Sequence, residues 1–266
     1  MPIATLDRTI LRFSGDNLKP WLAGLITNNL DSPLTFAALL TPQGKIIADF
    51  FIHQDQTRWG DDLILETPVK FGDLLQKRLK MYKLREKIDM IDVTDSLHLY
   101  ALWDGQGDLG APDPRHEALG ARFISDELIE ITASEAEYDS HRLGLSIPDS
   151  AYDFDTQQRF PADVNMDLLK GVDFKKGCFI GQEVVSRMYR KTEVRKRFRA
   201  IRALEGALTE TGPIKAGERI IGECLHIRGA QGMALIRLDR LEGADESLML
   251  DNQPVIILDP SYGNKT

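Results

Sequence analysis

The sequence predicts an α+β protein, with a mixed N-terminal part over residues 1–193 and a β-rich C-terminal part over residues 194–266. Apolar residues recur at helical spacing in only a few segments, and strand-like runs flank those segments in irregular order. Past Arg195 the chain becomes a series of short strands separated by glycines. Irregular alternation of this kind disfavours a doubly wound parallel sheet.

The elements follow in order. Residues 9–13 read as a strand that leads through Ser14-Gly15-Asp16 into a helix with Leu18, Trp21, Leu22, Leu25 and Ile26 on one face. Pro20 suits the first turn of that helix, where a missing amide costs little. Residues 34–40 and 45–53 form a hairpin around Thr41-Pro42-Gln43-Gly44, and residues 63–66 a further strand. A second helix places Phe71, Leu74, Leu75, Leu79 and Tyr82 inside and Lys77, Arg78, Lys80 and Lys83 outside. Strands are expected at 87–93, 97–102, 121–125 and 128–131, with a Gly-, Pro- and Asp-rich loop over 103–120. Ser134 opens a third helix with an acidic first turn, which runs to about Leu143. Residues 146–161 are irregular. Strands at 195–204, 218–228, 231–238 and 254–258 predict a small barrel or sandwich.

Composition sets bounds on function. The chain has 266 residues, 42% hydrophobic and 28% charged, which is ordinary for a globular protein. Its start lacks a basic stretch followed by an apolar run, and no apolar run reaches the roughly 18 residues of a membrane span. The cysteines are two, Cys178 and Cys224, without a C-x-x-C pair, which fits a reducing compartment; a cytoplasmic protein is expected. Two thiols do not fill the four-cysteine shell of an iron–sulfur cluster, and the five histidines are dispersed, so no intrinsic metal site is assigned. The net charge of −8 is uneven: residues 170–202 carry 11 basic residues against 3 acids, whereas residues 104–163 carry 4 against 14. An acidic chain is not a general nucleic-acid binder, and membrane association is not expected either. A single basic segment suits local capture of an anion, or simply a solvated charged strand face.

Cys178 lies between Gly177 and Gly181, directly after Lys175 and Lys176. Neighbouring ammonium groups favour thiolate over thiol, although a buried, inert cysteine is the common alternative. The segment Lys176-Gly177-Cys178-Phe179-Ile180-Gly181-Gln182-Glu183 resembles the K-G-C-[YF]-x-G-Q-E signature of YgfZ-type proteins and their mitochondrial relatives. Leu11–Asp16 with Trp21–Asn28, Thr41–Asp49, Arg142–Pro148 and Phe160–Asn165 are similar to further blocks of that family, whose relatives include the glycine-cleavage T-protein.

The resemblance implies two intertwined α+β domains with a C-terminal β-barrel, and tetrahydrofolate as ligand. It also implies a role in iron–sulfur cluster assembly or repair, serving assembly proteins or clients such as radical and tRNA-modifying enzymes. Cys178 and Asp49 are its candidate reactive residues. Asp163, Lys176, Gly177, Gly181, Gln182, Glu183, Arg187 and Arg190 are the candidate folate contacts, the arginines because guanidinium pairs bidentately with carboxylate. The chain departs from the T-protein pattern where an acid pair reads Ala48-Asp49, and where Gly144 and Ser146 replace Glu and Gly of an R-x-E-x-G block. An alternative function is a folate-dependent one-carbon (aminomethyl) transferase or demethylase with Asp49 as base.

Overall fold

The computed structural model describes residues 1–105, 109–191, 194–243 and 246–263. In chain order its elements begin β1 (Ile3–Thr5), β2 (Arg8–Gly15), α1 (Leu18–Ala23), β3 (Leu34–Leu40), β4 (Ile46–His53), α2 (Gln56–Trp59), β5 (Leu63–Pro68) and α3 (Val69–Lys83). Next come β6 (Ile88–Asp92), β7 (His98–Leu102), β8 (Ala111–Pro112), β9 (Ala121–Ser125), α4 (Glu135–Gly144) and α5 (Gln182–Lys191). The last part holds β10 (Lys196–Ala203), β11 (Gly212–Ala216), β12 (Arg219–Arg228), β13 (Gln231–Arg237), α6 (Leu238–Leu241), β14 (Leu248–Leu250) and β15 (Gln253–Ile257).

Two antiparallel sheets make up the N-terminal part, in the orders β3-β4-β5-β2-β6 and β1-β7-β9-β8. They are intertwined because β1 pairs with β7 while β2, two residues later, pairs with β5 and β6. One face of the five-stranded sheet is apolar: Ala48, Phe50 and Ile52 of β4 pack with Leu22 of α1 and Leu75 and Leu79 of α3. Side chains alternate along a strand, so Asp49, Phe51 and His53 point the other way, toward the second sheet. Burial of β4 on both faces explains why all eight of its residues are buried.

The C-terminal strands close into a barrel, in the order β10-β13-β12-β11-β14-β15. Its wall shares a core with the rest of the chain, where Phe198, Ala200, Met233 and Leu235 meet Phe36, Phe51 and Leu143. Arg197 grips Asp167 bidentately at 2.9 and 2.8 Å where the chain enters the barrel.

Four sequence expectations are corrected. The first helix ends at Ala23, short of Leu25 and Ile26, and Ile26 forms a bridge with Leu39 instead. Residues 128–131 form no strand: Leu128 and Ile131 are exposed apolar residues in a loop whose end hydrogen-bonds β1 through Thr132 and Ala133. Strands β11 and β14 are additional, short and rich in Gly, Pro or turn neighbours, which hides their alternation. The basic segment is not one strand face: Arg187 and Arg190 lie on helix α5, whereas Lys196, Arg197, Arg199 and Arg202 lie on strand β10. Val185 of α5 is buried, while Glu183, Arg187 and Arg190 lie outside at helical spacing. The Lys191 side chain, Thr192 and Glu193 lie outside the described residues.

The centre is ionic. Arg122 of β9 donates to both oxygens of Glu66 of β5 at 2.7 Å, and its third nitrogen reaches the Tyr138 hydroxyl at 3.2 Å. Both charges are buried completely, so removing one partner strands the other. Arg122→Met is expected to lower the unfolding free energy by about 3–5 kcal/mol. Urea denaturation followed by circular dichroism checks this, and a loss under about 1 kcal/mol would contradict it.

Candidate functional site

Cys178 sits on an exposed loop between two fixed points. At one end, Lys176 donates its ammonium to the carbonyls of Ala23, Ile26 and Asn28 at 2.6, 2.7 and 2.9 Å, at and just past the end of α1. Half-burial of the ammonium lowers its pKa to about 8. All three N–H groups are thus committed to backbone oxygens, and none remains for a folate carboxylate or for the thiol. Lys176 is an anchor.

At the other end, Gly181 has φ of +80° and lies against the β3–β4 hairpin. A Cβ there would stand 2.6 Å from the Thr41 carbonyl oxygen. Gly44, at φ of +79°, packs reciprocally on Val184 of α5, whose Cβ lies 3.1 Å from the position of an added methyl. The hairpin motif and the cysteine motif therefore interlock through two residues without side chains. Gln182 spans the loop, donating to the Gly177 carbonyl at 3.2 Å. Gly177 is exposed with open space around it, and Glu183 is exposed in the first turn of α5. Arg187 and Arg190 are exposed on that helix.

The other candidates lie elsewhere. Asp163 accepts from the Phe160 amide at 2.9 Å and closes a turn, with burial raising its pKa. Asp49 faces a closed centre lined by Arg8, Phe51, Glu66, Arg115, Asp149 and Ser150. That cavity measures about 10 Å³, room for one water. Ser150 donates to Asp49, and burial still pushes the carboxyl up to about 6. Around it the charges are paired: Arg8 with Asp149 at 3.0 Å, and Arg115 with both oxygens of Asp113 at 3.0 and 2.8 Å. Guanidinium contacts hold Asp149 well below the usual carboxylate range, and Glu66 falls to about 2 beside Arg122.

A pterin does not fit this centre as it stands. Small-molecule sites occupy roughly 300–1,000 Å³, and here arginine side chains fill the space. Gly144, in the place of the T-protein glutamate, is exposed with only Gln231 near. Ser146 adopts the left-handed conformation at φ of +60°, so the backbone shape of a glycine persists there with a side chain present. Its hydroxyl accepts from the Ala200 amide at 2.7 Å, which ties it to the barrel. Arg8, Arg115, Arg122, Glu66 and Asp149 were not singled out by sequence reasoning. The available signal was a charged residue inside an otherwise apolar strand, as at Arg8 and Glu66.

The fold and the two regions define a three-part α+β protein with an ion-paired centre and an exposed loop cysteine. The glycine cleavage system aminomethyltransferase T from Bartonella henselae has this fold: TM-score 0.67, 13% identity, 97% of this chain and 85% of that one. Residues 195–262 match the family described as CAF17, C-terminal beta-barrel domain. Proteins named iron-sulfur cluster assembly factor IBA57, mitochondrial, or its homologue are similar along most of the chain. That of Mycosarcoma maydis is 30% identical over 223 residues, 71% of this chain and 54% of its own length. Those of Mus musculus and Homo sapiens are 27% and 26% identical, each covering 89% of this chain and 77% of the relative. The chain spans about half the length of the fungal relatives it matches. The chain is thus similar to proteins named IBA57 over most of its length, and to the CAF17-type barrel over residues 195–262.

The expected cytoplasmic location is corrected, because the relatives are named as mitochondrial and point to mitochondria instead. Two unpaired thiols report a redox condition, not a compartment. Among the described residues no helix is long and apolar enough to cross a membrane.

Asp49 makes the centre titratable. Its folded pKa of about 6 exceeds the ordinary 3.8, so its contribution to stability is full below pH 3.8 and is lost as pH rises through 6. Asp49→Asn keeps an acceptor for Ser150 without that loss. The variant is expected to gain on the parent protein between pH 4 and pH 7, ending about 1–3 kcal/mol ahead. Calorimetric melting across that range measures it; a pH-independent difference would refute the assignment.

Proposed function

We propose that this chain is a YgfZ-like iron–sulfur cluster assembly factor that presents Cys178 to assembly or client proteins. The exposed thiol on a loop anchored at both ends carries the reading, and the names of the similar proteins support it. A loop fixed in this way offers sulfur at a defined place with little ordering cost on association. Cys224 is buried in the barrel, with its thiol pushed up to about 12, and takes no part. One thiol does not complete a cluster shell, so the partner supplies the remaining ligands. In this reading residues 1–193 present the thiol and residues 194–266 brace them. The clients include radical enzymes, tRNA-modifying ones among them.

The test is functional replacement in mitochondria depleted of the related factor. The parent chain is expected to restore aconitase activity and tRNA methylthiolation, read by mass spectrometry, while Cys178→Ser restores neither at equal protein level. Full restoration by Cys178→Ser would sink the role of the thiol.

Tetrahydrofolate enters the proposal in a restricted form. A pterin at the centre requires displacement of the Arg115 and Asp149 side chains from their ion pairs, and the one-carbon transferase alternative with Asp49 as base requires the same opening. Anaerobic calorimetry with tetrahydrofolate is therefore expected to show no saturation below about 1 mM. Micromolar saturation that weakens in Asp49→Asn would instead show that the centre opens and would favour the transferase.

A further inference from the structure

Helix α3 ends in a cationic tip. Residues 77–87 carry Lys77, Arg78, Lys80, Lys83, Arg85 and Lys87 against Glu86 alone, in a chain whose net charge is −8. Among the described residues none of these six makes an ion pair, and Lys80 reaches the Gln76 side chain at 3.5 Å. The acids near them are Glu86, which receives Asn17 at 3.5 Å, Asp73 one turn before Lys77, Asp89 of β6, and Asp16 beside the β2–β6 pairing. Six cations against four acids leave the tip positive.

Two apolar side chains project from the same tip. Met81 is 63% exposed and Leu84, three residues on, is 88% exposed. Met81 shares the outer face of the helix with Lys77 and Lys80 by its spacing. Exposed apolar residues scattered singly are ordinary on a protein surface. Leu84 differs, because it also holds φ of +44°, a left-handed conformation uncommon for a leucine. The turn around it is fixed: Trp21 donates to the Tyr82 carbonyl at 3.3 Å, and the Glu86 amide to the Lys83 carbonyl at 2.8 Å. Exposure of the leucine and strain in its backbone are both unfavourable, and burial inside the chain offsets neither.

We propose that this tip docks the protein on an anionic phospholipid surface, with Met81 and Leu84 entering the headgroup boundary and the surrounding cations meeting lipid phosphates. A side chain 88% exposed stands clear of its neighbours, so the tip is convex, and a bilayer receives a convex apolar tip without a preformed groove. Basic clusters are drawn to an anionic leaflet within a Debye length, while the acidic remainder of the chain is repelled, which orients the molecule tip-first. Nucleic acid would satisfy the cations but offers Leu84 no apolar phase. The acidic composition of the whole chain argues against membrane association, yet the balance at this end has the opposite sign, and a peripheral contact needs no spanning segment. The proposal does not depend on the cluster-assembly reading.

Flotation of the full chain with vesicles tests it, phosphatidylcholine alone against an equal mixture with phosphatidylglycerol. The parent chain is expected to bind the anionic vesicles about tenfold more tightly than the neutral ones, and more weakly as salt rises. Lys80→Glu with Arg85→Glu is expected to weaken binding about tenfold, and Met81→Ser with Leu84→Ser about fivefold. In the unmutated chain, hydrogen exchange of residues 80–86 slows on anionic vesicles and is unchanged on neutral ones, a readout that needs no variant to fold. Absence of binding to anionic vesicles, equal binding to both kinds, or unchanged exchange at residues 80–86 would each overturn the proposal. So would parent-like binding by either folded double variant. Tighter binding of homopolymeric RNA or polyglutamate than of anionic vesicles, lost in Lys80→Glu with Arg85→Glu, would assign the tip to nucleic acid or to an acidic protein instead.

Discussion

The structure depends on burying arginine. Arg8, Arg115, Arg122 and Arg142 are all nearly or fully buried, and each meets a carboxylate: Arg8 and Arg122 from distant parts of the chain, Arg115 from Asp113 two residues before it, and Arg142 from Asp153. The pairs link into one lattice. Glu66 and Arg122 join the two sheets; Tyr138 joins Arg122 to Arg115; Arg142 ties α4 to Asp153. Asp139 of α4 then accepts from Arg228 at 2.9 Å and lies 2.8 Å from His226, both on the barrel strand β12. Desolvating so many charges is unfavourable unless every partner is present. The lattice thus penalises partial assembly, and it holds the three parts of the chain in one arrangement. Phe51 contributes as well, since the Arg115 and Arg122 guanidinium groups lie 4.7 and 4.3 Å from its ring centroid.

The cysteine loop obeys a different constraint. Nothing in it is charged-paired at depth; it is held by backbone. Lys176 satisfies three carbonyls at and after the end of a six-residue helix, where no continuing turn receives them. Gly44 and Gly181 let two backbones approach where side chains would collide. A reactive group on such a loop keeps its position while remaining in solvent, which a buried cavity does not allow.

Much of this was legible in the sequence, and the exceptions have physical reasons. The hairpin over residues 34–53 and the helix α3 follow from alternation and helical periodicity, and the barrel from short glycine-bounded strands. The capping box of Ser134 and Glu137 marks the start of α4 from sequence alone. Helix α5 was hidden because its apolar face is narrow and basic residues dominate the segment. The octapeptide located the cysteine loop, but Lys176 reads there as a charge near a thiol. Its long side chain instead reaches back some 150 residues to the end of α1. The ionic lattice was illegible for a related reason. Arg8–Asp149, Glu66–Arg122 and Asp139–Arg228 join residues far apart in sequence, and an arginine gives no sign of whether it will be solvated or buried.

Asp49 is the point where the lattice departs from its own rule. Glu66, Asp113, Asp139, Asp149 and Asp153 each contact an arginine, whereas the hydrogen bond that Asp49 accepts comes from the Ser150 hydroxyl. A hydroxyl stabilises a carboxylate less than a guanidinium does, so burial prevails and a proton becomes the available counter-charge. The neighbouring Ala48 is explained by the same strand geometry. Position 48 faces α1 and α3 within an apolar cluster, where a second acid would have no partner at all. An adjacent acid pair in β4 is therefore incompatible with this helix layer, and the single remaining acid stands in a space for one water. The fold retains a titratable group at the place where the family pattern has its acids, but encloses it. The thiol open to solvent lies instead on the loop, at Cys178.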